Sequence, residues 1–443
     1  MRKILRIIIP IFVGFMSALV SGVFVTNNAQ IVEISKDLLE QVQTIHSEMP
    51  RADSEGFIQP TNEELANWRE LITTMLEGNY ELADTLVQAN FPFYQLYRLT
   101  DTGYNSQLFY LLQEKFPVTK GWGTFIVNAN FERQICIELP HAIYDTNTYS
   151  EGTDIFRRTG ARFLIMAGTH RCADTEISPC DGSFRGCGGQ RYPISDMAHF
   201  VDSPFQVTHE TIDERFEDIY FFSIHGHGRD ECEDIFLSNG HKTQSKPLLS
   251  KIKQSLLAQG GLTAAVAGDG TSSCTLVGST NVQGRFTNGS ADPCTEAASS
   301  TNGYFIHAEQ SRRVRDNFSV YSKFVNAINA NIATVTSVEG SFPGHGANPQ
   351  QTPTLFAMFP NPFHTLTTIS YELSKPSRVS VRIYNLQGQF VRGLEQGLLK
   401  GEGVYQVQWD GTDRNGNPMP SGVYFIELES GKTLSRAKLI HLR

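Results

Sequence analysis

The sequence predicts an α/β protein in three parts: an N-terminal helical segment, a central domain with a mixed sheet, and a C-terminal all-β, immunoglobulin-like sandwich. Three observations favour this fold class. Apolar residues recur at helical spacing between residues 34 and 117. From residue 119 onward, short β-branched runs alternate with helical ones, which is typical of an α/β layer structure. After residue 353 the chain has about six or seven short alternating strands, separated by turn residues.

Charge is distributed unevenly along the chain. Of 37 basic and 46 acidic residues, three basic ones precede residue 30, and ten basic and seven acidic ones follow residue 352. The residues between them therefore hold 24 basic against 39 acidic groups, a net charge of −15. The charged fraction of 19% is below the roughly 25% of an average soluble domain. This composition excludes a disordered chain, a collagen-like repeat and a strongly basic nucleic-acid binder. We therefore expect no nucleic-acid partner.

Residues 1–29 have the features of a secretory signal peptide. Three basic residues among the first six precede an uncharged apolar run of 19 residues, Ile7–Val25. A positive segment followed by an apolar one is the pattern of such peptides. A retained membrane anchor is the alternative, because the run is long. We favour cleavage, after Ala29 or Gly22, since no second apolar run of this length follows.

Residues 30–118 are predicted to form a helical packing segment. Apolar residues recur at helical spacing over residues 38–45, and a second amphipathic run covers residues 62–75. A further helix is expected over residues 104–115. No cluster of chemically reactive side chains is evident here, so we expect a structural role.

Polar residues capable of chemistry follow several predicted strands of the α/β domain, which we assign to residues 119–339. In open α/β sheets, ligands bind beyond the carboxyl ends of the strands. Separate strands would therefore bring such side chains to one edge and assemble a single site. The residues at these positions are His141, His170, Arg171, His225, Asp269 and Glu309.

Three of the residues in this domain have the composition of a catalytic zinc site. Two histidines and one carboxylate, here His141, Asp145 and His225, commonly bind Zn²⁺ together with a water. Zinc lowers the pKa of that water and polarises a scissile carbonyl. Glu309 is the candidate general base, and Arg171 could hold a substrate carboxylate.

The ligand set has alternatives. Asp145 could instead form an Asx turn with the residues that follow it, and Glu138 is a rival carboxylate ligand. His227 could replace His225, and the role of His170 is open. Two further histidines are expected to be structural or to support the ligands: His199 and His209.

Seven cysteines indicate disulfide bonds if the protein is exported. Cys172, Cys180 and Cys187 lie in a Gly/Ser-rich insertion and are good candidates. Cys274 and Cys294 flank another polar loop. The odd number leaves at least one thiol free or paired between chains.

A resemblance to known enzymes covers approximately residues 120–335. The run FFSIHGHG, a later Ser-Asn-Gly-His stretch and the helix-forming KPLLSKIKQSLLAQGG resemble the poly-γ-glutamate hydrolase group. This group belongs, with the N-formylglutamate amidohydrolases, to the zinc-carboxypeptidase-like superfamily. The PH of ELPHAIYD and the segment EQSRRVRDN also resemble that family. The resemblance implies a zinc-carboxypeptidase-like fold, His141 and His225 as zinc ligands, and Glu309 as the catalytic base. The chain departs from the family at Asp145, because the family usually has a Glu after a Gly-rich His motif.

A linker is predicted over residues 340–352, where Gly, Pro, Asn and Gln dominate. Residues 353–443 then resemble the C-terminal type A sorting domain of the type IX secretion system. The motifs FPNPF, IYNLQGQFVR, WDGTDRNGNPMPSGVYFIEL and the terminal KLIHL carry this resemblance. It implies the type IX secretion machinery as a partner, passage across an outer membrane, and then release or attachment at the cell surface.

Together these features predict a secreted or cell-surface zinc-dependent amidohydrolase of the carboxypeptidase-like kind. Its substrate would be an amide of a carboxylate-bearing molecule, such as a peptide, a γ-glutamyl chain or a cell-wall fragment. The alternative is a surface binding protein without catalysis, exported by the same route.

Overall fold

The computed structural model describes most of the chain. The described residues are 31–183, 186–189, 191–335, 354–359, 363–373, 376–386, 388–401, 403–414, 416–430 and 433–442. The predicted signal peptide (1–29) and linker (340–352) lie outside them. Within the described ranges, none of the helices combines the length and the apolar character that crossing a membrane requires.

Ten strands form one mixed sheet in the N-terminal three quarters of the chain. In spatial order they are β1 (Val32–Lys36), β2 (Tyr94–Asp101), β3 (Leu108–Glu114), β4 (Thr124–Asn128), β6 (Ala161–Met166), β5 (Arg133–Leu139), β7 (Tyr220–Gly226), β10 (Phe305–Gln310), β8 (Ile235–Ser238) and β9 (Ala264–Val266). The four central strands β6, β5, β7 and β10 run parallel, and antiparallel strands flank them on both sides. The predicted mixed sheet is thus confirmed.

Helices cover both faces of this sheet. They are α1 (Leu38–Glu48), α2 (Asn62–Leu76), α3 (Tyr80–Asn90), α4 (Thr148–Thr159), α5 (Pro204–Arg215), α6 (Pro247–Ala258), α7 (Val282–Thr287), α8 (Arg312–Arg315) and α9 (Phe318–Asn331). Helices α1, α4, α6 and α9 contribute to one apolar core, and α2, α3 and α5 contribute to the other. Successive side chains of a strand point to opposite faces of the sheet, so one strand contributes to both cores. In β5, Ile135 and Ile137 face the first core, and Cys136 faces the second. The result is a three-layer α/β/α arrangement.

The N-terminal segment is only partly helical, which corrects the prediction for residues 30–118. It contains α1 to α3, and it also contains β1, β2 and β3, which join the large sheet. The helix expected over residues 104–115 is instead strand β3, buried along most of its length. A short apolar run that is covered on both faces has no alternation, so its pattern does not distinguish a strand from a buried helix.

The C-terminal part forms two antiparallel sheets, consistent with an immunoglobulin-like domain. One contains β11 (Thr354–Phe359), β12 (Thr367–Leu373) and β15 (Gly403–Trp409), and the other contains β14 (Phe390–Lys400), β13 (Ser377–Asn385), β16 (Gly422–Ser430) and β17 (Thr433–His441). Apolar residues of both sheets share a core, among them Ile369, Trp409, Val381 and Ile426.

Three disulfides join loops of the α/β region. They link Cys172 to Cys187, Cys180 to Cys294, and Cys232 to Cys274. The seventh cysteine, Cys136, is a buried free thiol in β5. The expectation that the cysteines of the Gly/Ser-rich insertion form disulfides is confirmed, and the odd number leaves Cys136 unpaired.

Candidate metal centre

The parallel strands β5, β7 and β10 bring the candidate residues to one edge of the sheet. Glu138 of β5 lies opposite Ser223 of β7, and His225 of β7 lies opposite Glu309 of β10. His141 follows β5 by two residues. Because the three strands end on the same side, their last residues and the turn after β5 meet there.

Three donor atoms of the predicted ligands lie close together. His141 Nδ1 is 3.2 Å from Asp145 Oδ2 and 3.1 Å from His225 Nδ1, and His225 Nδ1 is 3.5 Å from Asp145 Oδ2. All three side chains are buried. A tetrahedral zinc ion with bonds of 2.0–2.1 Å separates its ligand atoms by about 3.4 Å. The observed spacing and the donor types therefore fit such an ion.

Neighbouring groups orient these ligands. His141 Nε2 lies 3.0 Å from Asp196 Oδ1, and His225 Nε2 lies 3.1 Å from Ser223 Oγ. Asp145 Oδ2 also accepts a hydrogen bond from the Gly226 amide at 3.1 Å. With Nε2 of each ring engaged, Nδ1 of both histidines is directed to the shared centre, as in known metal sites.

The electrostatics keep two of the predicted ligands in the protonation states that a metal ion requires. Although burial disfavours the charge of Asp145, its contacts with His141 and His225 hold the pKa of this carboxyl well below its usual range. Burial lowers the pKa of His225 to about 4, so its imidazole is neutral at pH 7. Burial and Arg171 oppose protonation of His141, but Asp196 and Asp145 outweigh them and raise its pKa. A cation bound at Nδ1 would displace that proton.

Glu309 lies beside this centre on β10. Its Oε2 is buried and has no hydrogen-bond partner among the described residues. Burial, with a contribution from the negative charge of Asp145, raises the pKa of Glu309 to about 8. A nearby divalent cation would lower that pKa and keep the carboxylate ionised. Glu309 thus offers a buried carboxylate close to His225, one of the predicted ligands.

Arg171 contacts the centre from the loop after β6. Its Nε donates to Asp196 Oδ2 at 2.9 Å, and its Nη2 contacts the same oxygen. Its Nη1 lies 3.5 Å from His141 Nδ1. The guanidinium therefore pairs with a carboxylate of the protein while one nitrogen faces the cation site.

The alternative ligands lie elsewhere. Glu138 Oε1 is 2.6 Å from His209 Nδ1, in a buried pair. His170 Nδ1 accepts a hydrogen bond from the Cys172 amide, and His227 Nε2 lies 3.0 Å from the carbonyl oxygen of Glu233. Among the described residues, none of these four side chains belongs to a group with the spacing of metal ligands.

Two residues of the candidate site, Asp196 and His307, were not predicted. Asp196 also contacts His199 Nδ1 at 3.0 Å, which makes it the common partner of His199, His141 and Arg171. It lies in a loop without periodicity, so no local signal marks it. His307 precedes Glu309 by two residues in β10, and strand alternation would have placed both on one face.

One family model matches the chain: the FlgD Ig-like domain, over residues 364–433. No curated protein is significantly similar in sequence to this chain.

Three solved structures illustrate what the chain resembles. Dimeric latent PorU from Porphyromonas gingivalis is 20% identical over 19% of this chain and 9% of its own, with a TM-score of 0.17. PorZ, a surface component of the type-IX secretion system of the same organism, is 21% identical over 20% of this chain and 11% of its own, with a TM-score of 0.16. This chain thus spans about a tenth of either protein. The N-formylglutamate amidohydrolase of Ralstonia eutropha JMP134 is 11% identical over 47% of this chain and 95% of its own, with a TM-score of 0.28.

Proposed function

We propose that this protein is an exported zinc-dependent hydrolase of amide bonds. The observation that carries the proposal is the triangle of His141 Nδ1, Asp145 Oδ2 and His225 Nδ1, with sides of 3.1–3.5 Å. Two imidazoles and one carboxylate leave a fourth position for water or substrate, which distinguishes a catalytic zinc site from a closed structural one. Imidazole ligands also favour zinc over magnesium or calcium.

Each residue of the candidate site has its own role in the proposed hydrolysis. When bound, zinc lowers the pKa of a water and polarises a carbonyl. Glu309 accepts the proton of the attacking water and returns it to the leaving amine nitrogen. Arg171 presents Nη1 to the centre and stabilises the negative charge that develops on the carbonyl oxygen. Asp196 and Ser223 hold the two histidine rings in position.

The proposed substrate is a small amide that carries a carboxylate. A peptide, a γ-glutamyl chain or a cell-wall fragment has this chemistry. Arg171 approaches the centre through Nη1, while its Nε and Nη2 pair with Asp196. Residues 30–352 have a net charge of −15, so a short substrate suits this part of the protein better than a long polyanion.

Export is proposed to occur through the type IX secretion system. The resemblance of residues 353–443 to its sorting domains supports this, and three disulfides fit an oxidising compartment outside the cytosol. The mature protein would be released or attached at the cell surface.

A hydrolysis assay tests the proposed reaction. Zinc-loaded protein is assayed on N-acyl amino acids and γ-glutamyl dipeptides. Glu309→Gln is expected to retain zinc and to lose about 10²–10⁴-fold in kcat, the usual contribution of a general base. The exposed His364 provides a matched control, since His364→Ala should change neither zinc content nor rate. Zinc-loaded protein that is inert on the whole panel, or is unaffected by Glu309→Gln, would favour the surface binding protein.

A further inference from the structure

His307 is buried next to the proposed centre, and the proposed reaction does not use it. It is 4% exposed, and its ring centroid lies 4.4 Å from that of His225. Its Nε2 is 3.7 Å from Oε1 of Glu309, which is 8% exposed. One ligand atom from each of these three residues lies within 4.8 Å of the others.

Two polar atoms in this group have no hydrogen-bond partner among the described residues. They are His307 Nδ1 and Glu309 Oε2. A buried polar group left unpaired costs about 1–3 kcal/mol, so nearly all such groups in folded proteins have a partner. Both side chains therefore lack a partner that buried imidazole and carboxylate groups normally have, and Nε2 and Oε1, which approach each other, are available to a shared ligand.

A glycine leaves the space that the His307 ring occupies. Gly278 packs against it with a φ of +62°, and a Cβ at that position would lie only 2.6 Å from Cδ2 of the ring. A larger residue at position 278 would therefore displace the ring.

We propose that His307 and Glu309 form a second divalent-cation site next to the centre of His141, Asp145 and His225. His225 belongs to the first site, because its Nδ1 faces His141 and its Nε2 lies beside Ser223. Two protein ligands with solvent make the second site the weaker one. An imidazole and a carboxylate favour zinc, cobalt or nickel ions.

This inference extends the proposed function, since both sites lie at the same edge of the sheet. It also gives Glu309 two roles, general base and cation ligand, that it cannot fill at the same time. A carboxylate that ligates a cation is not available to accept the proton of a water. Occupation of the second site is therefore expected to lower the rate of hydrolysis.

Titration of the metal-free full chain with Co²⁺ tests the second site, with the visible absorption of Co²⁺ and the heat of binding as readouts. The wild type is expected to bind in two steps, with the second at least about tenfold weaker than the first. His307→Gln, of similar size, should abolish the second step and preserve the first. Glu309→Gln should do the same and serves if His307→Gln fails to fold, while His364→Gln is the matched control.

The outcomes separate this inference from the proposed function. A single step in the wild type up to millimolar Co²⁺, or a second step that His307→Gln and Glu309→Gln leave intact, would overturn the second site. Loss of the first step in His141→Ala tests the first site independently. If the first step is absent but a His307-dependent one remains, the proposed function fails and the second site stands.

Discussion

Asp196 is the common partner of several residues of the candidate site, although no sequence pattern marks it. It is fully buried and contacts His141, His199 and Arg171. Arg171 lies nearest and has the largest effect of these partners, and it keeps the pKa of the Asp196 carboxyl well below its usual range despite burial. At the scale of single residues, the geometry of the predicted ligands therefore depends on a residue outside the predicted ligand set.

Replacing Asp196 should weaken zinc binding. Asp196→Asn leaves Arg171 with a neutral partner and loosens the orientation of His141. Loss of such a supporting carboxylate usually costs 10–100-fold in metal affinity. We expect a change of about this size in the zinc dissociation constant, measured by competition with a chelator. Asp218→Asn, at an exposed position, is the control. Equal zinc affinities in the two variants would show that Asp196 does not orient the site.

Glu151 predicts a pH dependence of stability. Burial raises the pKa of this carboxyl in α4 from 4.5 to about 8, although the charge of Arg315 and a side-chain hydrogen bond with Gln310 oppose the shift. Between pH 4.5 and pH 8 the folded state keeps the proton while the unfolded state releases it, so the free energy of unfolding falls as pH rises. Glu151→Gln removes this effect and should stabilise the fold by about 2–5 kcal/mol above pH 8.

Thermal unfolding from pH 4 to pH 9 measures this effect. The Tm difference between Glu151→Gln and the wild type should be small near pH 4 and grow toward pH 8. Glu217→Gln, at an exposed position, should show no such trend. A Tm difference that is independent of pH would contradict a buried, protonated Glu151.

At the scale of elements, part of the site was predictable because strand ends are visible in the sequence. The candidate site uses the parallel strands β5, β7 and β10. Apolar runs that end in His225 or continue into Glu309 mark β7 and β10, and His141 follows β5. The order β5-β7-β10 depends on pairing between segments far apart in sequence, which periodicity does not encode. Strand β3 was predicted as a helix for a related reason, since burial on both faces removes the alternation that identifies a strand.

The disulfide Cys172–Cys187 lies next to the site, because Arg171 immediately precedes Cys172. It closes a loop with a sequence separation of 15 residues. Replacing both cysteines by Ser should lower the free energy of unfolding by about 3 kcal/mol. It should also weaken zinc binding through the loss of order at Arg171 and Asp196.

Removal of the disulfide Cys232–Cys274 is the matched control for this pair. Its loop has a separation of 42 residues, so its loss should destabilise the fold to a similar extent or more. Zinc affinity should be retained. Chemical denaturation and chelator competition measure the two quantities. A zinc affinity that falls equally in both double variants would assign the effect to global stability.

At the scale of the whole molecule, the large sheet and the C-terminal sheets have separate apolar cores. The two cores of the ten-stranded sheet contain no residue beyond Ile332, and the core of the C-terminal sheets begins at Phe363. The core of the C-terminal sheets and the two cores of the large sheet therefore share no buried apolar residue among the described parts of the chain.

Deleting residues 353–443 should accordingly leave the α/β region folded but block its export. In a host with type IX secretion, the truncated protein is expected in the periplasm, with the Tm and zinc content of its large region unchanged. Cell fractionation and immunoblotting of the medium, surface and periplasm measure this. Export equal to that of the full chain would refute the assignment of the tail as a sorting domain.

The central claim is that His141, Asp145 and His225 bind one zinc ion, and anomalous X-ray diffraction at the zinc edge tests it most directly. A crystal of the full chain with one equivalent of zinc should show one strong anomalous peak, within about 2.2 Å of His141 Nδ1, His225 Nδ1 and an Asp145 oxygen. A peak at other residues, or no peak at this site in zinc-containing crystals, would contradict the account.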